Sequence, residues 1–193
     1  MNIIETLNYA IDQHQKTNAM DKSGTTPYSW HLLRVMLRLH DVSDNCKKVA
    51  LLHDVLEDTP VTYDQLKEQF GQDIADSVKW CSKNYYKDLS FTQWMTKIAN
   101  EAPPLVIICK LSDIADNLSY ERMRGLIPNK STKVFHSTPL TLQKRIDNVT
   151  RKKMKLSGEM GVYDRYYKAW NILLENSLNH KYLSQVDTGD FIS

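Results

Sequence analysis

The sequence is poor in the residues that mark specialised classes of protein. Its three cysteines are odd in number and far apart in 193 residues, which excludes a disulfide framework and a cysteine-based zinc site. Six glycines and six prolines exclude collagen-like and low-complexity character. The net charge is only +2, from 25 basic and 23 acidic residues, so we expect no nucleic-acid partner held by bulk electrostatics. These absences leave an ordinary globular protein.

Long apolar runs are also missing. The longest candidates are residues 49–52 and 105–109, far shorter than the ~20 residues that a membrane-spanning helix needs. Residues 1–6 lack the basic stretch and apolar core that typify a secretory signal. Together with the cysteine usage, these observations predict a cytoplasmic protein with no membrane partner.

Apolar residues recur at helical spacing along the chain. In the first segment Ile3, Leu7 and Ile11 are four residues apart, which is typical of an amphipathic helix. Similar patterns predict helices near residues 29–39, 45–57, 62–70, 74–81, 91–98, 104–125, 139–156 and 159–182. Only Val106–Ile108 could be a strand, and it continues into a helical pattern. The sequence therefore predicts one all-α domain over residues 1–183, followed by a flexible tail over residues 184–193.

Ionisable side chains interrupt the most apolar of these predicted helices. Residues 50–52 are followed by His53, Asp54, Glu57 and Asp58. Burying such groups is expensive unless they are paired or bind a metal. On a continuous helix His53 would share one face with Glu57, and Asp54 would share the next face with Asp58. His53 and Asp54 would then form one tier that could hold a divalent ion. Glu57 and Asp58, about one turn away, would form a second tier that could orient or deprotonate a water on it.

A further carboxylate lies on another buried segment. Asp113 is predicted to share one helical face with Lys110 and Asn117, just after an apolar run. A carboxylate on a buried helix needs a cation, so Asp113 is a ligand candidate and Asp116 is the second choice.

A histidine near the start of the second predicted helix completes the candidates. His31 has Arg34 three residues further along the same face. Taken alone, His31 would be a structural histidine, and it becomes a ligand candidate only because of the other two segments. The second His-Asp pair, His40-Asp41, ends a helix and enters a polar loop, so it is an ordinary helix terminus.

The order of these segments matches a known family. The matching blocks are Ser23-Gly24 through Pro27-Tyr28 with His31, residues 50–59, Phe70-Gly71 with Ile74-Ala75 and Val78, and Lys110–Asp113 with Asn117. They span about residues 7–125, and the pattern resembles the HD-domain metal-dependent phosphohydrolases. Among these it is similar to the RelA/SpoT-type and small alarmone hydrolases. The resemblance implies an HD-domain-like helical bundle that removes the 3′-pyrophosphate from ppGpp or pppGpp by a metal-activated water.

The resemblance also implies roles for matching residues. The metal ligands would be His31, His53, Asp54 and Asp113. The ion would be Mn²⁺, with Zn²⁺ or another divalent ion open. The attacking water would be handled by Glu57 and Asp58. The nucleotide would contact Lys22, Ser23 and Asn117. Proximity to the ligand segments adds two cations for the pyrophosphate, Arg34 and Lys110.

Four departures from the family pattern leave the identity of the nucleotide open. They are Leu32, a loop before Tyr28 that is one residue longer with Thr25-Thr26, Ile114 and Tyr120, and the last two fall near the expected substrate cleft. One alternative is another HD-type phosphohydrolase that acts on deoxynucleotides or adenosine 3′-pyrophosphates. Others are a non-catalytic nucleotide sensor and a helical interaction protein. The Glu57-Asp58 pair favours an enzyme, because a pure binder has little need of a second acidic pair.

Aromatic residues recur at helical spacing near the end of the chain. They are Tyr163, Tyr166, Tyr167 and Trp170. A base could stack on one of them, but this spacing is more typical of core residues, and we predict that they are core.

Overall fold

Helices form at the amphipathic segments that the sequence predicts. The computed structural model describes residues 1–20, 27–119 and 162–188, and in these ranges it contains helices and no β-strand. The α-helices are α1 Ile3–Lys16, α2 Ser29–Leu37, α3 Asp44–Leu52, α4 Val55–Asp58, α5 Tyr63–Phe70, α6 Gln72–Cys81, α7 Phe91–Glu101, α8 Pro104–Leu118 and α9 Val162–Glu175. Two 3₁₀-helices span Lys83–Tyr85 and Ser177–Gln185. The all-α prediction is confirmed, and Val106–Ile108 is helical.

Local sequence signals explain where several helices begin. Thr62 and Gln65 form the predicted capping box of α5, in which the Thr62 amide donates to Gln65 Oε1 at 2.9 Å. Equivalent boxes begin α1 at Asn2 and α7 at Ser90. Gly71 separates α5 from α6 with a φ of 88°, a conformation that favours glycine. These caps fix the helix boundaries independently of the core.

The predicted helix over residues 45–57 is two helices. Between them lie His53 and Asp54, and Asp54 has left ideal helical geometry with φ −102° and ψ −1°. The cause is local, because His53 Nδ1 donates to the carbonyl of Ala50 at 2.7 Å. In an unbroken helix that carbonyl would accept from the amide of Asp54. His53 and Asp54 thus lie in a turn between the two helices, and the Asp58 amide still donates to the Asp54 carbonyl at 2.9 Å, one helical turn further on.

Helix α8 is the buried centre of the fold. It packs against α2, α3, α6, α7 and α9, and its residues from Val106 to Leu118 are all buried. The predicted extension to Gly125 is wrong, since the helix ends at Leu118. There the Ser119 amide and hydroxyl both donate to the carbonyl of Asp116, at 3.1 and 2.7 Å. This central helix carries charged side chains into the interior, next to α2 and α3.

The C-terminal part also differs from its prediction. The single helix expected over residues 159–182 is α9 followed by a 3₁₀-helix, because the Asn176 side chain accepts from the amide of Leu178 at 3.1 Å. The sequence predicts a loose tail from residue 184, but Val186 is buried and the Asp187 amide donates to the carbonyl of Arg38 at 2.7 Å. Burial of Val186 and pairing with α2's end hold this segment on the fold.

Parts of the sequence analysis lie outside the described residues. These are the predicted helix over residues 139–156 and the two expected nucleotide contacts Lys22 and Ser23. Within the described ranges, no helix combines the length and apolar character that crossing a membrane would require. The bounds predicted for the domain stay a prediction.

Candidate active site

Side chains from three separate segments meet at one place. His31 lies on α2, His53 and Asp54 lie between α3 and α4, and Asp113 lies on α8. His31 Nε2 is 3.8 Å from Asp54 Oδ2 and 3.3 Å from Asp113 Oδ1. His53 Nε2 is 2.9 Å from Asp54 Oδ2 and 3.6 Å from Asp113 Oδ1. The structure therefore brings together the four side chains that the sequence analysis names as ligands, and we call them the His-Asp cluster.

The donor atoms of this cluster fit a divalent metal. Ligand atoms of His31, His53 and Asp54 all lie within 4.8 Å of one another. Although His53 Nε2 lies close to the Asp54 carboxylate, this buried atom makes no hydrogen bond with any described residue, which is costly for a polar atom that meets no cation. Asp113 contacts both imidazoles and could supply a further oxygen. Two imidazoles with carboxylates suit Mn²⁺ or Zn²⁺.

Each imidazole of the cluster is oriented through its other nitrogen. His53 Nδ1 is 2.7 Å from the carbonyl of Ala50, and a carbonyl can only accept, so Nδ1 carries the proton. His31 Nδ1 is likewise 2.7 Å from the Asp116 carboxylate. Both rings therefore direct Nε2 into the cluster. An acceptor behind the imidazole is the usual support of a metal-binding histidine.

Asp116 and Arg34 lie behind His31 and not in the cluster itself. Arg34 donates to Asp116 through Nε at 2.8 Å and Nη2 at 3.2 Å. Burial raises the pKa of Asp116, but hydrogen bonds and charge from His31 and Arg34 outweigh it and hold the pKa well below its usual range. Asp116 thus orients His31, which corrects its place as second-choice ligand. Arg34 therefore holds Asp116 on a face of α2 that packs on α8, and its expected contact with the pyrophosphate stays a prediction.

Lys110, Asp113 and Asn117 share one face of α8, as the sequence predicts. Lys110 Nζ is 3.0 Å from Asp113 Oδ2, and Asn117 Nδ2 donates to Asp113 Oδ1 at 2.6 Å. Burial raises the pKa of Asp113, but the charges of Lys110 and His53 lower it well below its usual range. Burial lowers the pKa of Lys110, and Asp113 more than reverses this. Both groups are therefore charged, and Asp113 is fixed from two sides.

The acidic pair of α4 stands beside the cluster. Glu57 Oε2 accepts from the amide of Lys83 at 2.8 Å. Burial raises the pKa of Glu57, and the Asp54 carboxylate adds to the effect. Burial, Asp54 and Glu57 together raise the pKa of Asp58 to about 6. A carboxyl group with a pKa near neutrality can both accept and release a proton.

Two aromatic side chains that the sequence analysis gave no role lie against the cluster. The Tyr28 hydroxyl donates to Asp54 Oδ2, and the His14 ring stacks on Tyr28 with centroids 4.8 Å apart. His14 is 2% exposed, and neither of its ring nitrogens bonds to any residue that the structure describes. Burial lowers the pKa of His14 to about 4. A single histidine on an amphipathic helix gives no sequence signal of this position.

A cavity of about 350 Å³ opens onto the cluster, a volume that suits a small molecule. Its charged lining groups are Asp54, Glu57, Asp58, Asp113, Lys83, Lys110 and Arg165. Its other lining residues are Tyr28, His31, Phe91, Trp94, Asn117 and Tyr166. Two of the predicted substrate contacts, Lys110 and Asn117, therefore face the cavity. Arg34 is not among the described residues that line it.

The late aromatic residues divide between core and surface. Trp170 packs against the core as predicted, whereas Tyr167 is 40% exposed, which corrects its prediction. Tyr166 both packs against the core and lines the cavity, and burial raises its pKa to about 12. The side chain of Tyr163 lies outside the described residues. Helical spacing placed these rings on neighbouring faces of α9 but could not show where the cavity opens.

Part of this chain is similar in sequence to proteins of known function. No family model matches it. The guanosine-3′,5′-bis(diphosphate) 3′-pyrophosphohydrolase of Aquifex aeolicus is 37% identical over 110 residues, which are 54% of this chain and 16% of the relative. The pyrophosphohydrolase MESH1 of Danio rerio is 30% identical over 120 residues, 60% of this chain and 65% of the relative. The bifunctional (p)ppGpp synthase/hydrolase SpoT of Escherichia coli is 27% identical over 140 residues, 67% of this chain and 19% of the relative. The chain thus spans less than two thirds of each relative.

A solved structure extends the likeness to the whole fold. It is described as a metazoan ortholog of SpoT that hydrolyses ppGpp, and it matches 92% of this chain and 96% of its own with a TM-score of 0.55 at 22% identity. This chain therefore shares the helical fold of that solved structure. The sequence matches are more particular, since the chain is similar over 54–60% of its length to two proteins named guanosine-3′,5′-bis(diphosphate) 3′-pyrophosphohydrolase. The resemblance found in the motifs is confirmed.

Proposed function

We propose that this chain is a metal-dependent hydrolase that removes the 3′-pyrophosphate from (p)ppGpp. The observation that carries the proposal is the convergence of His31, His53, Asp54 and Asp113 beside an acidic pair in one cavity. The printed activity of the relatives supports the same substrate. The proposal therefore joins a site that fits a metal to a nucleotide that carries a pyrophosphate on its 3′-oxygen.

The proposed resident metal is Mn²⁺, held by the His-Asp cluster. When bound, the ion would lower the pKa of a water and neutralise phosphoryl oxygens. The protein prepares the site by pointing both Nε2 atoms inward and by keeping Asp113 ionised. Zn²⁺ fits the same donors, so the identity of the ion is part of the proposal.

The acidic pair is proposed to manage the protons of the reaction. Hydrolysis forms a bond from the water oxygen to the phosphorus on the ribose 3′-oxygen and breaks the bond between that phosphorus and the 3′-oxygen. The water loses a proton and the 3′-oxygen gains one, so pyrophosphate leaves with GDP or GTP. Asp58 has the pKa for this exchange, and Glu57 is held in place by the Lys83 amide. Such proton transfer is worth about 10²–10⁴-fold in rate.

The substrate is proposed to meet Lys110 and Asn117 on the wall formed by α8. Lys110 is charged and adjoins Asp113, so it can meet phosphate oxygens close to the cluster. Lys22 and Ser23 stay proposed contacts of the base and lie outside the described residues.

The test is a metal analysis followed by a panel of nucleotides. Purified chain should carry a divalent metal and release pyrophosphate from ppGpp with Mn²⁺, and a chelator should abolish the release. Release of triphosphate from a deoxynucleotide would instead support another HD-type phosphohydrolase. Binding of ppGpp without turnover would support a sensor. A chain that binds no divalent metal would contradict all three.

The cytoplasm is the proposed compartment. All three cysteines fall in the described part of the chain, and Cys46, Cys81 and Cys109 are buried free thiols there. Free thiols are typical of a reducing compartment, which supports the proposal.

A further inference from the structure

Three cationic side chains line the cavity among the described residues, and one of them has no acceptor in that part of the chain. Lys110 is paired with Asp113 at 3.0 Å, and Lys83 Nζ donates to the carbonyl of Tyr86 at 2.6 Å. Arg165 is half-buried on α9 and its Nε is fully buried, yet it makes no hydrogen bond or ion pair with any described residue. A cation withdrawn from water without an acceptor is costly. Arg165 is therefore suited to an anion that comes from outside the chain.

Aromatic rings hold this guanidinium in the cavity wall. Arg165 Cζ is 5.7 Å from the ring centroid of Phe91 and 5.4 Å from that of Tyr166, and all three residues line the cavity. Such cation–π contacts stabilise the charge but do not use the N–H donors. A planar guanidinium fixed in this way can bind a phosphate through two parallel hydrogen bonds. The site is thus built before the ligand arrives.

Arg165 and Lys110 line the same cavity from different helices. Lys110 adjoins the His-Asp cluster through Asp113, whereas Arg165 stands on the wall that α9 and α7 form. Resting on the proposed function, we propose that Arg165 binds the 5′-phosphates of (p)ppGpp while the cluster holds the 3′-pyrophosphate. Arg165 is then a specificity-determining residue that favours guanosine nucleotides phosphorylated at both positions.

The test compares two nucleotides in Arg165→Gln. One is ppGpp, and the other is guanosine 3′-diphosphate, which has a free 5′-hydroxyl. We expect KM for ppGpp to rise about ten- to a hundredfold, the usual effect of losing a charged hydrogen bond, with kcat nearly unchanged. For the 3′-diphosphate, KM should not change. Arg165→Lys keeps the charge without the planar fork and should give a smaller rise, again restricted to ppGpp.

A matched control lies on the same helix. Lys168 is exposed on α9, so Lys168→Gln removes one positive charge near Arg165 and should alter neither nucleotide's KM. An equal loss on both nucleotides in Arg165→Gln and Arg165→Lys, or no loss on ppGpp, would overturn the inference.

Calorimetric binding of ppGpp separates this inference from the proposed reaction. If the wild-type chain binds ppGpp ten- to a hundredfold more tightly than Arg165→Gln but releases no pyrophosphate, the phosphate subsite stands and the proposed hydrolysis fails. Equal affinities would overturn the subsite whether or not pyrophosphate is released.

Discussion

Their neighbours shift the pKa values of the carboxylates of the site in opposite directions. Asp113 and Asp116 face cations or imidazoles, which lower the pKa of each well below its usual range in spite of burial. Asp58 faces other carboxylates, which together with burial raise its pKa to about 6. Such divergence is typical of a site where some carboxylates bind a cation and others move protons. The roles of single residues can therefore be tested one at a time.

Asp58→Asn tests proton transfer. Because the amide cannot take a proton, we expect kcat for ppGpp to fall by about 10²–10⁴-fold while the metal content is unchanged. Asp64→Asn on the exposed side of α5 is the matched control and should keep the full rate. A near-wild-type kcat in Asp58→Asn would remove Asp58 from the mechanism.

Asp116→Asn tests the support of His31. The change weakens the acceptor behind His31 Nδ1, and losing such a support usually lowers metal affinity by about 10–100-fold. The Mn²⁺ affinity of the folded variant, checked by circular dichroism, measures this. Unchanged affinity would show that His31 is positioned without Asp116.

His14 predicts a pH dependence of stability in metal-free protein. Its pKa is lowered from 6.5 to about 4 by burial, so between these values the unfolded chain binds a proton that the folded chain does not. The free energy of unfolding should therefore fall as the pH drops from about 6.5 to about 4, by at most about 3 kcal/mol from this group.

Urea unfolding at both pH values, in wild type and His14→Phe, isolates that contribution. The phenyl ring can still stack on Tyr28 but cannot titrate, so the variant should lose less stability on acidification than wild type. His40→Gln removes an exposed histidine and should behave as wild type. Identical pH dependence in wild type and His14→Phe would contradict the account.

At the scale of elements, the site depends on where helices stop. The end of α3 at Leu52 leaves His53 and Asp54 in a turn before α4, and the end of α8 at Leu118 follows from the Ser119 bonds to Asp116. Neither helix end is marked in the sequence by a proline or a glycine. Periodicity therefore predicted both helices as longer than they are, although it predicted which residues they contain.

The junction of α5 and α6 offers a test at this scale. Gly71 has φ 88° and ψ 165°, which side-chain-bearing residues rarely adopt, although an added Cβ would meet nothing within 4 Å. Gly71→Ala should therefore lower the free energy of unfolding by about 1–3 kcal/mol through backbone strain alone. Gln69→Ala, exposed on α5, is the control for urea unfolding, and equal stability of the two variants would refute the strain.

For the whole molecule, the sequence predicted the ionisable residues of the site but not the contacts that depend on how the helices pack. The apolar flank of His53 and the shared face of Lys110, Asp113 and Asn117 marked the site because buried ionisable groups need a reason. The bond of Arg34 to Asp116 was missed, since spacing gives the face of a helix but not what packs on it. Arg165 was missed because its importance depends on the approach of α7 and α9, which are distant in sequence.

The central claim is that the His-Asp cluster holds one divalent cation. Titration of metal-free chain with Mn²⁺, followed by the electron paramagnetic resonance of the free ion, measures it most directly in wild type and His53→Gln. We predict a single tight site in wild type and at least about tenfold weaker binding in the variant, because the glutamine removes the imidazole nitrogen that would bind the ion. Equal binding by the two proteins, or none by wild type, would contradict the account.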